Sequence, residues 1–138
     1  MIINKLLNQL IMRNLSETTE FAQKLIIKKS VTPNDDGAIK VLKKKLSKIG
    51  FKNIDLPFGS KKNNDLILNL FSINKSKKLN NRTLCFAGHT DVVPEGDCKK
   101  WKYDPFLGKV SSGKLHGRGA SDMKGAIAAW IMACDNIL

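Results

Sequence analysis

Three residues between Phe86 and Gly125 have the types and spacing that chemistry requires: His89, Asp91 and Asp122. The short apolar run Thr83-Leu84-Cys85-Phe86-Ala87 reads as a buried strand that stops at Gly88. His89 is thereby predicted at the strand's carboxyl end, the edge where the loops of an open α/β sheet diverge and leave a crevice. Asp91 follows two positions later, near enough to reach the imidazole and fix which nitrogen carries the proton, as the outer partner of a metal-bound histidine does. Asp122 ends the small, flexible run Gly117-Arg118-Gly119-Ala120-Ser121 and precedes an apolar helical pattern, so it is predicted at a helix start. An imidazole and a carboxylate from neighbouring loops are donors that divalent zinc or cobalt accepts.

Each residue also has a plainer use. A histidine after a strand is commonly a hydrogen-bonded structural residue. Aspartate at a helix start is commonly an N-cap, and Asp91 could form a loop turn. The wider context narrows the choice. His89-Thr90-Asp91-Val92-Val93-Pro94 and Gly117-Arg118-Gly119-Ala120-Ser121-Asp122-Met123-Lys124-Gly125 resemble the two N-terminal motifs of the di-zinc aminoacylase and carboxypeptidase family. Trp101, Asp104-Pro105-Phe106 and the turn Thr32-Pro33-Asn34-Asp35-Asp36-Gly37 fit the members that serve bacterial lysine and diaminopimelate synthesis, and the likeness runs from about Ser16 onward.

The resemblance implies an α/β fold: a three-layer αβα zinc-peptidase-like catalytic domain, N-terminal part only, with helices packed on a mixed sheet. It implies that His89 is a terminal ligand of one metal, that Asp91 is the catalytic residue orienting it, that Asp122 bridges two metals, and that the Asp122–Met123 peptide is cis. The cofactor would be two Zn2+ per site, with Co2+ as a substitute. The implied reaction is amide hydrolysis of N-succinyl-LL-2,6-diaminopimelate in a homodimeric enzyme. Acetylornithine or a small peptide is the alternative substrate, and a non-catalytic basic binding module the alternative of another class. The family's general-base glutamate, remaining ligands and dimerisation domain are expected beyond Leu138, so residues 1–138 read as an incomplete catalytic domain, inactive alone, with 1–15 as an extra leader helix or an upstream start.

Composition is compatible with this reading. A chain of 138 residues with 42% hydrophobic and 26% charged residues suits one soluble domain. No apolar run approaches the length that spans a bilayer, and Lys5 and Arg13 interrupt the N-terminal apolar patches with no cleavage site after them. Cys85, Cys98 and Cys134 are odd in number and lack CxxC spacing, so a reducing cytoplasm is expected. The net charge of +12 raises nucleic-acid binding. However, Lys40, Lys43, Lys44 and Lys48 lie off a helix's apolar stripe, and no aromatic residues that could stack on bases are interleaved with them. A small-molecule substrate, with neither nucleic acid nor membrane as partner, is the expectation.

The supporting elements follow from periodicity. Ile3, Leu6, Leu7, Leu10 and Ile11 have helical spacing, and a second helix is predicted from an N-cap at Ser16 to about Lys29. Pro33 sets a turn over 30–37, with Asp35 or Asp36 able to cap a helix over about 36–49 whose apolar face is Ile39, Leu42, Leu46 and Ile49. Gly50 ends it. Strands are predicted over Phe51–Leu56, Leu66–Ile73 and Thr83–Ala87, with 74–82 as an exposed loop and Lys114-Leu115 as a short edge strand. Ala126–Leu138, apolar almost all round, reads as a buried helix that the small residues Gly125, Ala128 and Ala129 bring close to the sheet.

Overall fold

The first helix forms because residues 2–26 contain neither glycine nor proline, and it runs unbroken through the position expected to cap it. In the computed structural model, which describes residues 2–63, 65–75 and 83–138, α1 spans Ile2–Ile26. Ser16 is therefore inside the helix, its hydroxyl donating to Glu20 Oε1 at 3.4 Å, and the expected boundary there is overturned. The first turns expose Ile3, Leu6, Leu7 and Leu10, and the side chain of Ile11 lies outside the described set. The C-terminal half buries Phe21, Ala22, Leu25 and Ile26.

Helix α2, Ala38–Lys48, follows the turn. Asp35 Oδ1 accepts from the Ile39 N–H at 3.0 Å, serving one of the free donors that every helix start leaves. Leu42 and Leu46 are buried, with Ile39 and Ile49 partly covered beside them, while Lys40, Lys44 and Lys48 are exposed. Gly50 adopts φ 89°, and the Phe51 N–H returns to the Leu46 carbonyl at 2.9 Å, closing the last turn as expected.

Two antiparallel hairpins complete the scaffold. Strand β1, Lys52–Phe58, pairs with β2, Ile67–Ile73, in a register that sets Leu56 opposite Asn69. Strand β3, Lys109–Ser111, pairs with β4, Lys114–His116. The second hairpin adds a partner to the expected edge strand: Ser112 and Gly113, both with positive φ, make the tight turn that hairpin twist favours.

The run Thr83–Ala87 departs from expectation. Among the described residues it has no ladder partner, and Leu84 is 92% exposed. A strand exists through its neighbours' hydrogen bonds, so β-rich composition does not suffice. Phe86 stacks on Trp130 at 4.8 Å between centroids. Most of the expected loop, 76–82, lies outside the described residues.

Helix α3, Gly125–Ile137, packs chiefly on α1. Ile127, Ala128, Ile131 and Met132 join Phe21, Ala22, Leu25, Leu42 and Leu46 in one core. Trp130 links this core to the first hairpin, edge-on to Phe51 at 6.2 Å.

Candidate metal centre

The geometry begins at the turn after α1, which lies alongside the segment that carries His89. The Val92 N–H donates to the Ser30 carbonyl at 3.0 Å, the Ser30 hydroxyl donates to the Thr90 carbonyl at 2.8 Å, and Val31 bridges Val92 in parallel. His89 is thus held by a pairing with 30–32, not by the end of a strand. On the other side its N–H points to Met123 Sδ at 3.4 Å.

Asp122 reaches the same place by a break in the helix. Residues Ala120–Lys124 form an irregular helical turn ahead of α3, broken by non-helical backbone at Asp122 (φ −131°, ψ 98°) and Met123, and the Asp122–Met123 peptide is cis, as expected. The carboxylate makes no cap to α3 and is 85% exposed, so the plain N-cap reading does not describe it. Gly119, with φ 82°, permits the preceding turn: a Cβ there would meet Val92 Cγ1 at 2.7 Å and Lys124 Cδ at 3.2 Å.

The structure brings all three predicted residues together. His89 Nε2 lies 3.1 Å from Asp122 Oδ1. Its Nδ1 lies 3.1 Å from the Asp91 backbone carbonyl and 3.3 Å from Asp91 Oδ1. Asp91 thus offers two acceptors where one was expected, the main-chain oxygen being the nearer. That backbone bond is the largest influence raising the His89 pKa above its ordinary 6.5; burial opposes it, and the charges of Asp91 and Asp122 add to it.

These residues line an open cleft of about 500 Å³ together with Val31, Thr32, Trp101, Arg118 and Ser121. An imidazole nitrogen and a carboxylate oxygen facing each other at its surface are a donor pair suited to a divalent cation, and the Nδ1 contacts leave Nε2 as the donor. The pair fits as part of a site. Among the described residues no group of three or more His, Cys, Asp or Glu side chains could hold a metal by itself. Cys98 stands apart as an exposed thiol in the short helical turn Cys98–Lys100, and Cys85 is likewise exposed.

Sequence reading had not singled out Thr32 or Arg118 individually. Thr32 Oγ1 donates to Asp91 Oδ2 at 2.8 Å. Arg118 lays its guanidinium over Trp101, 5.1 Å from the ring centroid, while its buried Nε has no hydrogen-bond partner among the described residues. Trp101 is itself fixed by donating Nε1–H to the Glu95 carbonyl at 2.9 Å. Thr32 precedes a proline and Arg118 sits between glycines, a context that marks both as shaped loop positions.

Residues 85–138 match Peptidase family M20/M25/M40. Succinyl-diaminopimelate desuccinylase of Hahella chejuensis is 44% identical over 125 residues, covering 91% of this chain and 30% of that protein. The enzymes of the same name from Ehrlichia canis and Ehrlichia chaffeensis are 46% and 48% identical, covering 86% and 84% of this chain and 30% and 29% of those proteins. The crystal structure of human carnosine dipeptidase 1 shares the fold, with a TM-score of 0.76 at 24% identity, covering 94% of this chain and 30% of that one. The likeness is in keeping with the expected α/β class, although among the described residues the ladders are antiparallel and the one parallel pairing is the bridge of Val31 to Val92. The chain spans about 30% of the length of these curated relatives. Over residues 85–138 the chain is thus similar to peptidase family M20/M25/M40, and over about nine-tenths of its length it resembles about 30% of succinyl-diaminopimelate desuccinylases.

Proposed function

We propose that this chain is the N-terminal part of a zinc-dependent amidohydrolase that converts N-succinyl-LL-2,6-diaminopimelate to succinate and LL-2,6-diaminopimelate. In this reading His89 and Asp122 are metal donors, Asp91 orients His89, the intact enzyme is a cytoplasmic homodimer, and residues 1–138 are one part of its catalytic domain. The observation that carries it is the approach of His89 Nε2 to Asp122 Oδ1 at 3.1 Å, with Asp91 behind the ring. The similarity to desuccinylases supports the choice of substrate.

The chemistry a bound divalent ion supplies is Lewis acidity, which acidifies water and polarises the scissile carbonyl. The chain's own residues prepare for it. Asp91 keeps the Nδ1 proton of His89 engaged, so Nε2 presents its lone pair to the cleft. The break at Asp122 turns its carboxylate out of α3 and toward that nitrogen. Trp101 and Arg118 form another part of the cleft lining.

The test has two arms. Co2+ titrated into the chain, followed by visible absorption and calorimetry, is expected to bind, and His89→Ala and Asp122→Ala are each expected to weaken binding at least tenfold. In a protein of the relatives' full length carrying this segment, the same substitutions are expected to abolish release of succinate. Binding that ignores both substitutions would refute the donor assignment. Full-length turnover on N-acetylornithine but not on the succinyl compound would refute the substrate.

A further inference from the structure

We propose that Thr32 is a positioning residue for the His89–Asp122 pair and acts through Asp91; the inference rests on the metal-donor reading above. The paired segments 30–32 and 90–92 place the Thr32 side chain beside Asp91, where Oγ1 donates to Oδ2 at 2.8 Å. The other oxygen of that carboxylate, Oδ1, lies 3.3 Å from His89 Nδ1, and His89 Nε2 in turn lies 3.1 Å from Asp122 Oδ1. One carboxylate thus has a hydroxyl on one oxygen and an imidazole on the other. Its terminal torsion is soft, and with its side chain 58% exposed little else restrains the carboxylate. A hydrogen bond from Thr32 fixes its plane and therefore the direction in which Oδ1 meets the ring. The Asp91 main-chain carbonyl also holds Nδ1, so losing the hydroxyl loosens the ring without freeing it.

The role is distinct from packing. Thr32 is exposed, and its methyl group lies outside the buried core. Thr32→Val keeps shape and removes the donor, whereas Thr32→Ser keeps the donor and removes the methyl.

Two readouts on the full chain test the inference. At a pH where an NMR titration shows the ring to be neutral, ring 15N NMR of the metal-free wild type is expected to show the Nδ1–H tautomer of His89. Thr32→Val is expected to shift it toward a mixture of tautomers, and Thr32→Ser to restore it. In Co2+ titrations Thr32→Val is expected to raise the dissociation constant roughly fivefold, less than the tenfold or more typical of a direct outer partner. Thr32→Ser should stay within about twofold of wild type. In an Asp91→Ala background Thr32→Val should add no further loss, because the effect passes through that carboxylate.

Wild-type behaviour of Thr32→Val in both readouts, a serine variant as impaired as the valine variant, or an additive loss in the Asp91→Ala background would overturn the inference. Failure of the wild type to bind Co2+ would overturn the metal reading instead, and the NMR comparison would still decide whether Thr32 sets the ring. If Thr32→Val does not fold, Thr32→Ala carries the same expected and overturning outcomes.

Discussion

His89 faces Asp91 at one nitrogen and Asp122 at the other, and both contacts favour its protonated form. Without metal, its pKa is raised from 6.5, led by the bond to the Asp91 carbonyl. The sign of the consequence is fixed. A folded-state pKa above the unfolded one adds stability that is complete below pH 6.5 and vanishes as pH rises through the raised value. His89→Gln is therefore expected to unfold more readily than wild type at pH 6, with the gap narrowing as pH increases. Urea denaturation across pH 6 to 9 measures this, and a gap that widens with pH would contradict it. Cation affinity runs the other way, because the proton must leave before a metal binds. Co2+ affinity is expected to rise over the same interval.

At the scale of elements, the joint between Gly119 and α3 decides whether Asp122 faces His89. Lys124 is fully buried there, donating Nζ to the Lys28 carbonyl at 2.5 Å and so tying the start of α3 to the end of α1. Burial pushes its pKa down to about 8, against the opposing pull of Asp36, Asp35 and Asp91. The unfolded chain then holds this proton more tightly than the folded one, so the contribution of Lys124 to stability rises between pH 8 and 10.5. Lys124→Met, which removes the buried charge, is expected to lack that rise. Parallel stability curves for the two proteins across this range would refute the assignment.

Gly119→Ala tests the same joint. It combines a left-handed backbone with a Cβ 2.7 Å from Val92 Cγ1, and it should destabilise the fold by about 2–4 kcal/mol. Thermal unfolding of the variant measures the cost, and a change below about 0.5 kcal/mol would mean that the turn relaxes freely.

On the scale of the molecule, the core belongs to three helices, while the first hairpin and the His89 segment keep much apolar surface exposed: Phe58, Phe71 and Leu84 are 66%, 48% and 92% accessible. The chain covers about 30% of its curated relatives, and the donor pair proposed here, His89 and Asp122, offers one nitrogen and one oxygen where a catalytic zinc has three protein ligands. The 138-residue chain by itself is accordingly expected to release no succinate from N-succinyl-diaminopimelate. A metal-dependent turnover in this chain alone, lost in His89→Ala, would overturn the view that its site is partial. Among the described residues no helix is long and apolar enough to cross a membrane.

Local chemistry made much of this readable from residues alone. The spacing of Leu42 and Leu46, the stop at Gly50 and the two glycine-flanked motifs each act over a few positions, where side-chain size and backbone freedom suffice. The resemblance of those two motifs to a known family, more than the spacing of single residues, is what marked His89, Asp91 and Asp122 as the residues to watch. Tertiary structure decided what supports them. Thr83–Ala87 has a strand's composition, yet among the described residues it has no ladder partner. His89 is held instead by a pairing with residues 30–32, nearly sixty positions away, that no periodicity reports. Hydrogen bonds across such distances depend on which surfaces the core brings together, and that is a property of the packed chain rather than of any stretch within it.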